Sequence, residues 1–84
     1  MVALEDVRQI VGEVLQLGPR VGELGADTPL LGGVPEFDSM AVVSVLTAVE
    51  ENYGIEIDDD EVSAEIFENL ANLLEFVQAK VANA

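Results

Sequence analysis

The apolar positions of this chain fall into three stretches of helical period, separated by one long aperiodic segment. Leu4, Val7, Val11 and Val14 recur at steps of three and four, and Ile10, Leu15 and Leu17 widen the stripe. Glu5, Asp6, Arg8, Gln9 and Glu13 take the other side. The spacing predicts an amphipathic helix over about residues 3–17, stopped by Gly18-Pro19. Residues 18–37 hold all three prolines and five of the seven glycines, which predicts one long loop. A structureless loop of that length is uncommon in a compact domain. Leu24, Leu30, Leu31, Val34 and Phe37 are therefore expected to pin it to the core.

A second helix is predicted over about residues 39–53, with Asp38 as an N-cap worth about 1 kcal/mol and Gly54 as its stop. Residues 40–49 are uncharged, which is unusual in so acidic a chain. At 100° per residue, Val42, Val45, Leu46, Val49 and Tyr53 share one arc, which reads as core. Met40, Val43 and Thr47 share the opposite arc with Ser39, Ser44, Glu50 and Glu51. A chain of 84 residues is too small to bury both arcs. The outer arc is then either a docking surface or a scatter of exposed apolar residues, and spacing does not separate the two.

Ile55 and Ile57 alternate with Glu56, but a lone strand has no partner, so an extended link with both isoleucines inward is expected. Asp58, Asp59, Asp60 and Glu61 precede a short helix carrying Val62, Ile66 and Phe67. Asn69 caps a last helix whose stripe is Leu70, Leu73, Leu74, Val77 and Val81, with Phe76 at its edge. The predicted architecture is all-α: one domain, residues 1–84, with three main helices, one short helix and a long loop between the first two helices.

Half of the chain is hydrophobic, so a packed globule is expected despite a net charge of −14. That charge excludes nucleic acid as a partner, because phosphates would be repelled. No apolar run reaches membrane-spanning length, and the N-terminus lacks a basic segment followed by an apolar one. A monomeric cytoplasmic protein is the default expectation. With no Cys and no His, disulfides, Cys/His metal sites and Cys or His catalysis are all removed. Ser39 has no histidine to act as its base, and Lys80, the one lysine, lies far along the chain. The acids from Glu56 to Glu61 lack the alternating ligands and glycine of a calcium loop, so no metal site is expected. Clustered in this way, Asp58, Asp59, Asp60 and Glu61 are expected to have carboxyl pKa values raised by their neighbours. The residues support carrying and docking rather than catalysis.

Three segments carry a family resemblance: residues 31–40 (LGGVPEFDSM), 48–58 (AVEENYGIEID) and 67–77 (FENLANLLEFV). An Asp-Ser-Met opening a helix after a long Gly/Pro loop, in an acidic chain of this size, resembles an acyl carrier protein. The resemblance implies that Ser39 is the attachment point of 4′-phosphopantetheine. It implies that Asp38 orients the site and contacts a phosphopantetheinyl transferase or its magnesium. It further implies that acyl-loading and acyl-transferring enzymes of a bacterial fatty-acid or polyketide type of pathway are the partners. The thiol that forms the thioester belongs to the cofactor, so the absence of cysteine is consistent. A phosphodiester at a helix N-terminus is also stabilised by free amides and the dipole.

One departure matters. Familiar fatty-acid carriers have acids on the second helix after the serine, where this chain has Ala41 and Ser44. Docking is then expected to lean on Met40, Val43, Ser44 and Thr47, with Glu50 and Glu51 at the helix end. The run of residues 34–43 resembles discrete carriers encoded with bacterial exosortase systems. Two alternatives remain: a peptidyl carrier, against which Phe37-Asp38 stand where glycines are usual, and an unmodified acidic helical adaptor.

Overall fold

The structure is a computed structural model that describes residues 2–83, with Asp59 described by its backbone alone. Three α-helices, α1 (Leu4–Val14), α2 (Ser39–Tyr53) and α3 (Leu70–Ala82), form the bundle. Short 3₁₀ segments, Gly18–Glu23, Asp59–Glu61 and Ala64–Phe67, punctuate the connections. The all-α expectation holds, with differences in the connections.

The first helix stops at Val14, not at residue 17. Gln16 adopts a left-handed conformation at φ 54°, the Gln16 amide donates to the Glu13 carbonyl, and the Leu17 amide donates to the Gly12 carbonyl. This is a Schellman termination with glutamine where glycine is usual, and it turns Leu17 inward to 4% exposure. Gly18-Pro19 then begins a 3₁₀ segment rather than an open loop, with proline in the first turn where its missing N–H is harmless. At the other end of α1 the Asp6 carboxylate reaches back to the Ala3 amide at 2.9 Å. The Gln78 amide holds the Val2 carbonyl at 2.9 Å, tying the N-terminus to α3.

The rest of the long loop is fastened by backbone bonds to the segment preceding α3 and to the first turn of α3. Leu30 and Leu31 amides donate to the Glu68 and Phe67 carbonyls at 3.1 and 3.0 Å, and the Ala71 amide donates to the Ala26 carbonyl. Gly33 folds back so tightly that a Cβ there would overlap the Pro29 carbonyl. Leu24, Leu30, Val34 and Phe37 are buried as expected, but Leu31 is 42% exposed. Its backbone, rather than its side chain, ties the loop down.

The core is a single cluster in which Val7, Val11, Leu30, Val45, Val49, Leu70, Leu73 and Val77 are fully buried. On α2 the buried line is Ala41, Val45 and Val49, while Val42, Leu46 and Tyr53 are half-buried at its flank. Gly54 ends α2 in the left-handed region at φ 64°, and its amide and that of Ile55 both donate to the Glu50 carbonyl. In the predicted short helix only Ala64–Phe67 is helical, as a 3₁₀ turn burying Ile66 and Phe67. Asn69 caps α3 by accepting the Asn72 amide at 2.8 Å.

Candidate functional site

The start of α2 is built by its cap. Asp38 is extended at φ −116°, and its carboxylate accepts the Ala41 amide at 2.9 Å. That leaves the Ser39 and Met40 amides, at the positive end of a 15-residue helix, without intramolecular partners among the described residues. The Ser39 side chain is exposed. Immediately before the cap, Phe37 is 4% exposed and packs against Phe67 with ring centroids 5.5 Å apart. This aromatic anchor fixes where α2 begins.

Beside Ser39 lies an open apolar groove of about 280 Å³. Leu31, Val42, Val62, Ala64 and Phe67 supply its apolar lining, and Ser39 and Ser63 its hydroxyls. The groove was not legible in the sequence, because Leu31 and Ala64 reach it only through the loop fastening and the 3₁₀ turn.

Around the serine, the exposed large apolar side chains are Met40 at 75%, Val43 at 62% and Leu31 at 42%. Ser44 and Thr47 are exposed on the same helix, and the Thr47 hydroxyl donates to the Val43 carbonyl at 3.0 Å. Glu51 is exposed, whereas Glu50 is half-buried and its carboxylate accepts the Ile57 amide at 2.9 Å. Glu50 is thereby engaged in holding the extended link after α2.

Each of the three bases pairs with an acid: Arg8 with Glu5, Arg20 with Glu36, and Lys80 with Glu61. Arg20 grips both Glu36 oxygens, one of them at 2.9 Å, clipping the first 3₁₀ segment to the loop just ahead of Asp38. Hydrogen bonding to Gln9 and Arg8 lowers the Glu5 pKa, and the Arg20 hydrogen bond lowers that of Glu36. The Lys80 hydrogen bond likewise lowers the Glu61 pKa. The expected rise fails at Glu61, because Lys80 reaches it at 2.7 Å from α3. The Asp59 side chain, part of the same expectation, lies outside the described residues. A lowered folded pKa contributes stability that is present above the unfolded value and lost as pH falls through the folded one. These three exposed pairs are consequently lost on strong acidification.

At neutral pH repulsion among seventeen acids is expected to outweigh three weak exposed pairs. The molecule measures 32 × 24 × 20 Å. A Debye length of about 30 Å at 10 mM salt lets all its charges interact, whereas about 3 Å at 1 M does not. Raising salt across that range at pH 7 is expected to raise the melting temperature by roughly 5 °C. Thermal melts followed by circular dichroism check this, and a flat or falling series refutes it.

No group of His, Cys, Asp or Glu side chains is placed to hold a metal ion among the described residues. Among the described residues, no helix is long and apolar enough to cross a membrane.

Comparison with known proteins bears directly on this site. A family model described as the phosphopantetheine attachment site matches residues 5–77, from α1 into α3. The solution NMR structure of a holo acyl carrier protein from Nitrosomonas europaea is similar over 98% of this chain and 99% of that one, with 52% identity and a TM-score of 0.87. No curated protein matches. A family match across most of the chain, together with a shared fold at this identity, leaves one assignment: the chain belongs to the acyl carrier protein family, whose members are carriers that bear phosphopantetheine and not catalysts.

Proposed function

We propose that this chain carries an acyl group as a thioester on 4′-phosphopantetheine joined to Ser39 Oγ, and presents it to partner enzymes as a monomer in the cytoplasm. The observation that supports this most is the exposed Ser39 at the N-terminus of α2, with the Ser39 and Met40 amides free beside it. The residues fit the group: free amides and the helix dipole suit a phosphodiester anion, and the adjoining groove suits an apolar chain. When bound, the group supplies the thiol that the protein lacks.

In loading, Ser39 Oγ loses its proton and forms a bond to the phosphorus that bears the pantetheine of coenzyme A. The pyrophosphate P–O bond breaks, and adenosine 3′,5′-bisphosphate leaves. Asp38 holds the first turn of α2 through the Ala41 amide and, on this reading, meets the transferase or its magnesium.

Docking falls to Met40, Val43, Ser44 and Thr47, with Glu51 and the engaged Glu50 at the acidic end. The partners are a phosphopantetheinyl transferase and enzymes that load and transfer acyl groups. The resemblance over residues 34–43 favours an exosortase-associated pathway, and Phe37-Asp38 in place of glycines favours an acyl over a peptidyl cargo.

Intact mass after incubation with coenzyme A, magnesium and a broad-range transferase tests the reading. A gain of one phosphopantetheine is expected; an unmodified chain with several transferases would leave the adaptor reading in its place. Met40→Glu and Val43→Glu are expected to lower the loading rate about tenfold or more, since central apolar contacts dominate such interfaces. Loading at the wild-type rate by both variants would remove the docking face from the proposal.

A further inference from the structure

The patch on α2 beside Ser39 is uncharged in a chain of seventeen acids. Residues 39–49 span about 15 Å of helix at 1.5 Å per residue and hold no acid or base. The acids that flank the patch are turned to internal uses. Glu36 is held by Arg20 and Glu61 by Lys80, while the Asp38 carboxylate accepts the Ala41 amide. Glu50 accepts the Ile57 amide at 2.9 Å, and Glu65 lines a different cavity, with Asn72, Glu75 and Phe76. Glu51 is exposed, but it lies eight residues from Val43, about 12 Å along the axis. That exceeds the Debye length of about 10 Å at 0.1 M salt. A partner seated on Met40 and Val43 therefore finds apolar side chains and hydroxyls under it, not carboxylates.

We propose that the enzymes this carrier serves dock through an apolar, uncharged recess that takes Met40 and Val43, and that enzymes gripping their carriers through a basic face are discriminated against. The proposal rests on loading at Ser39 and adds to it the chemistry of the partner. Charge complementarity decides it. A lysine or arginine pressed onto Met40 and Val43 loses water and gains no carboxylate in exchange, which penalises a basic-faced partner. An apolar recess escapes that penalty and gains the burial of two side chains that are 75% and 62% exposed. Leu31, 42% exposed, extends the same surface from the loop. The net charge of −14 still steers basic surfaces towards the molecule at low salt. Steering governs encounter, whereas the contact residues govern which partner stays.

The full chain is loaded from coenzyme A and magnesium by two phosphopantetheinyl transferases, one with an apolar carrier-docking face and one with a basic face. Intact mass gives kcat/KM, expressed relative to the carrier each transferase prefers. At about 0.1 M salt the apolar-faced transferase is expected to lead by roughly tenfold or more, and its value is expected to change less than about twofold up to about 0.5 M. Val43→Gln removes apolar surface without adding charge and is expected to lower that value about tenfold. Ser44→Glu sets a carboxylate one turn from Met40, and is expected to raise loading by the basic-faced transferase about fivefold while lowering loading by the other. Both substitutions fall at exposed positions, and circular dichroism melts verify that the fold is kept. A lead for the basic-faced transferase, a larger fall with salt, wild-type loading of Val43→Gln, or indifference of the basic-faced transferase to Ser44→Glu each overturns the proposal. A wild type that gains no mass with either transferase instead overturns the attachment at Ser39, so the two failures are distinguishable.

Discussion

Ser39→Ala is expected to keep its unmodified mass under conditions that convert the wild type completely. The comparison is clean because the hydroxyl is not structural. Ser39 is exposed, and the cap of α2 is the Asp38 carboxylate on the Ala41 amide. Losing the hydroxyl should change stability by no more than about 0.5 kcal/mol, as for other surface substitutions. Asp38→Ala would be a poorer test, since losing a cap costs about 1 kcal/mol and would mix folding with chemistry. Two other serines compete for the assignment. Ser63 lines the same groove, and Ser44 sits one turn beyond Met40 on the exposed face. Ser63 precedes only the four-residue 3₁₀ turn Ala64–Phe67, so it has no comparable helix dipole. Ser44 lies inside α2, where backbone amides are already bonded. Ser44→Ala and Ser63→Ala are accordingly expected still to gain one phosphopantetheine. Intact mass on the three variants checks this, and a mass gain on Ser39→Ala at either competitor would refute it.

The parts of the site that were legible in the sequence are those fixed by local chemistry. Asp38 and Asn69 read as caps because short carboxylate and amide side chains at those positions satisfy orphan amides, and both do so. The buried face of α2 followed from period, although Ala41 escaped notice because a methyl carries little hydropathic signal. What was hidden depends on contacts distant in sequence. Gln16 in a left-handed conformation ends α1 three residues early, with no glycine to announce it. Leu31 turns outward because its amide is claimed by the Phe67 carbonyl, a pairing across more than thirty residues. Lys80 reaches Glu61 from α3 and reverses the sign expected for that acid. The groove needs the Leu31 placement together with the 3₁₀ turn Ala64–Phe67, and so no local pattern could reveal it.

Val49→Glu is expected to unfold the domain at neutral pH, while Val43→Glu leaves folding within about 0.5 kcal/mol of wild type. Both residues are valines on one helix and both changes add one charge to a chain of −14, so the general electrostatic effect is matched. They differ in environment. Val49 is fully buried in the central cluster, whereas Val43 is 62% exposed. An unpaired carboxylate in an apolar interior is strongly unfavourable, and a domain of this size has only about 4–13 kcal/mol of stability to lose. None of the three bases can relieve it without abandoning the acid it already holds. Desolvation would raise the folded pKa of the introduced carboxyl above its unfolded value. Stability tied to a raised pKa is present at low pH and declines as pH rises through that pKa. The unfolding by Val49→Glu should therefore ease on mild acidification, in the pH range above the ordinary glutamate pKa, while Val43→Glu shows no such recovery. Circular dichroism melts of both variants between pH 7 and pH 5 measure this. Equal destabilisation of the two would mean that the exposed arc of α2 is core, and a Val49→Glu loss indifferent to pH would mean that the burial of charge is not its cause.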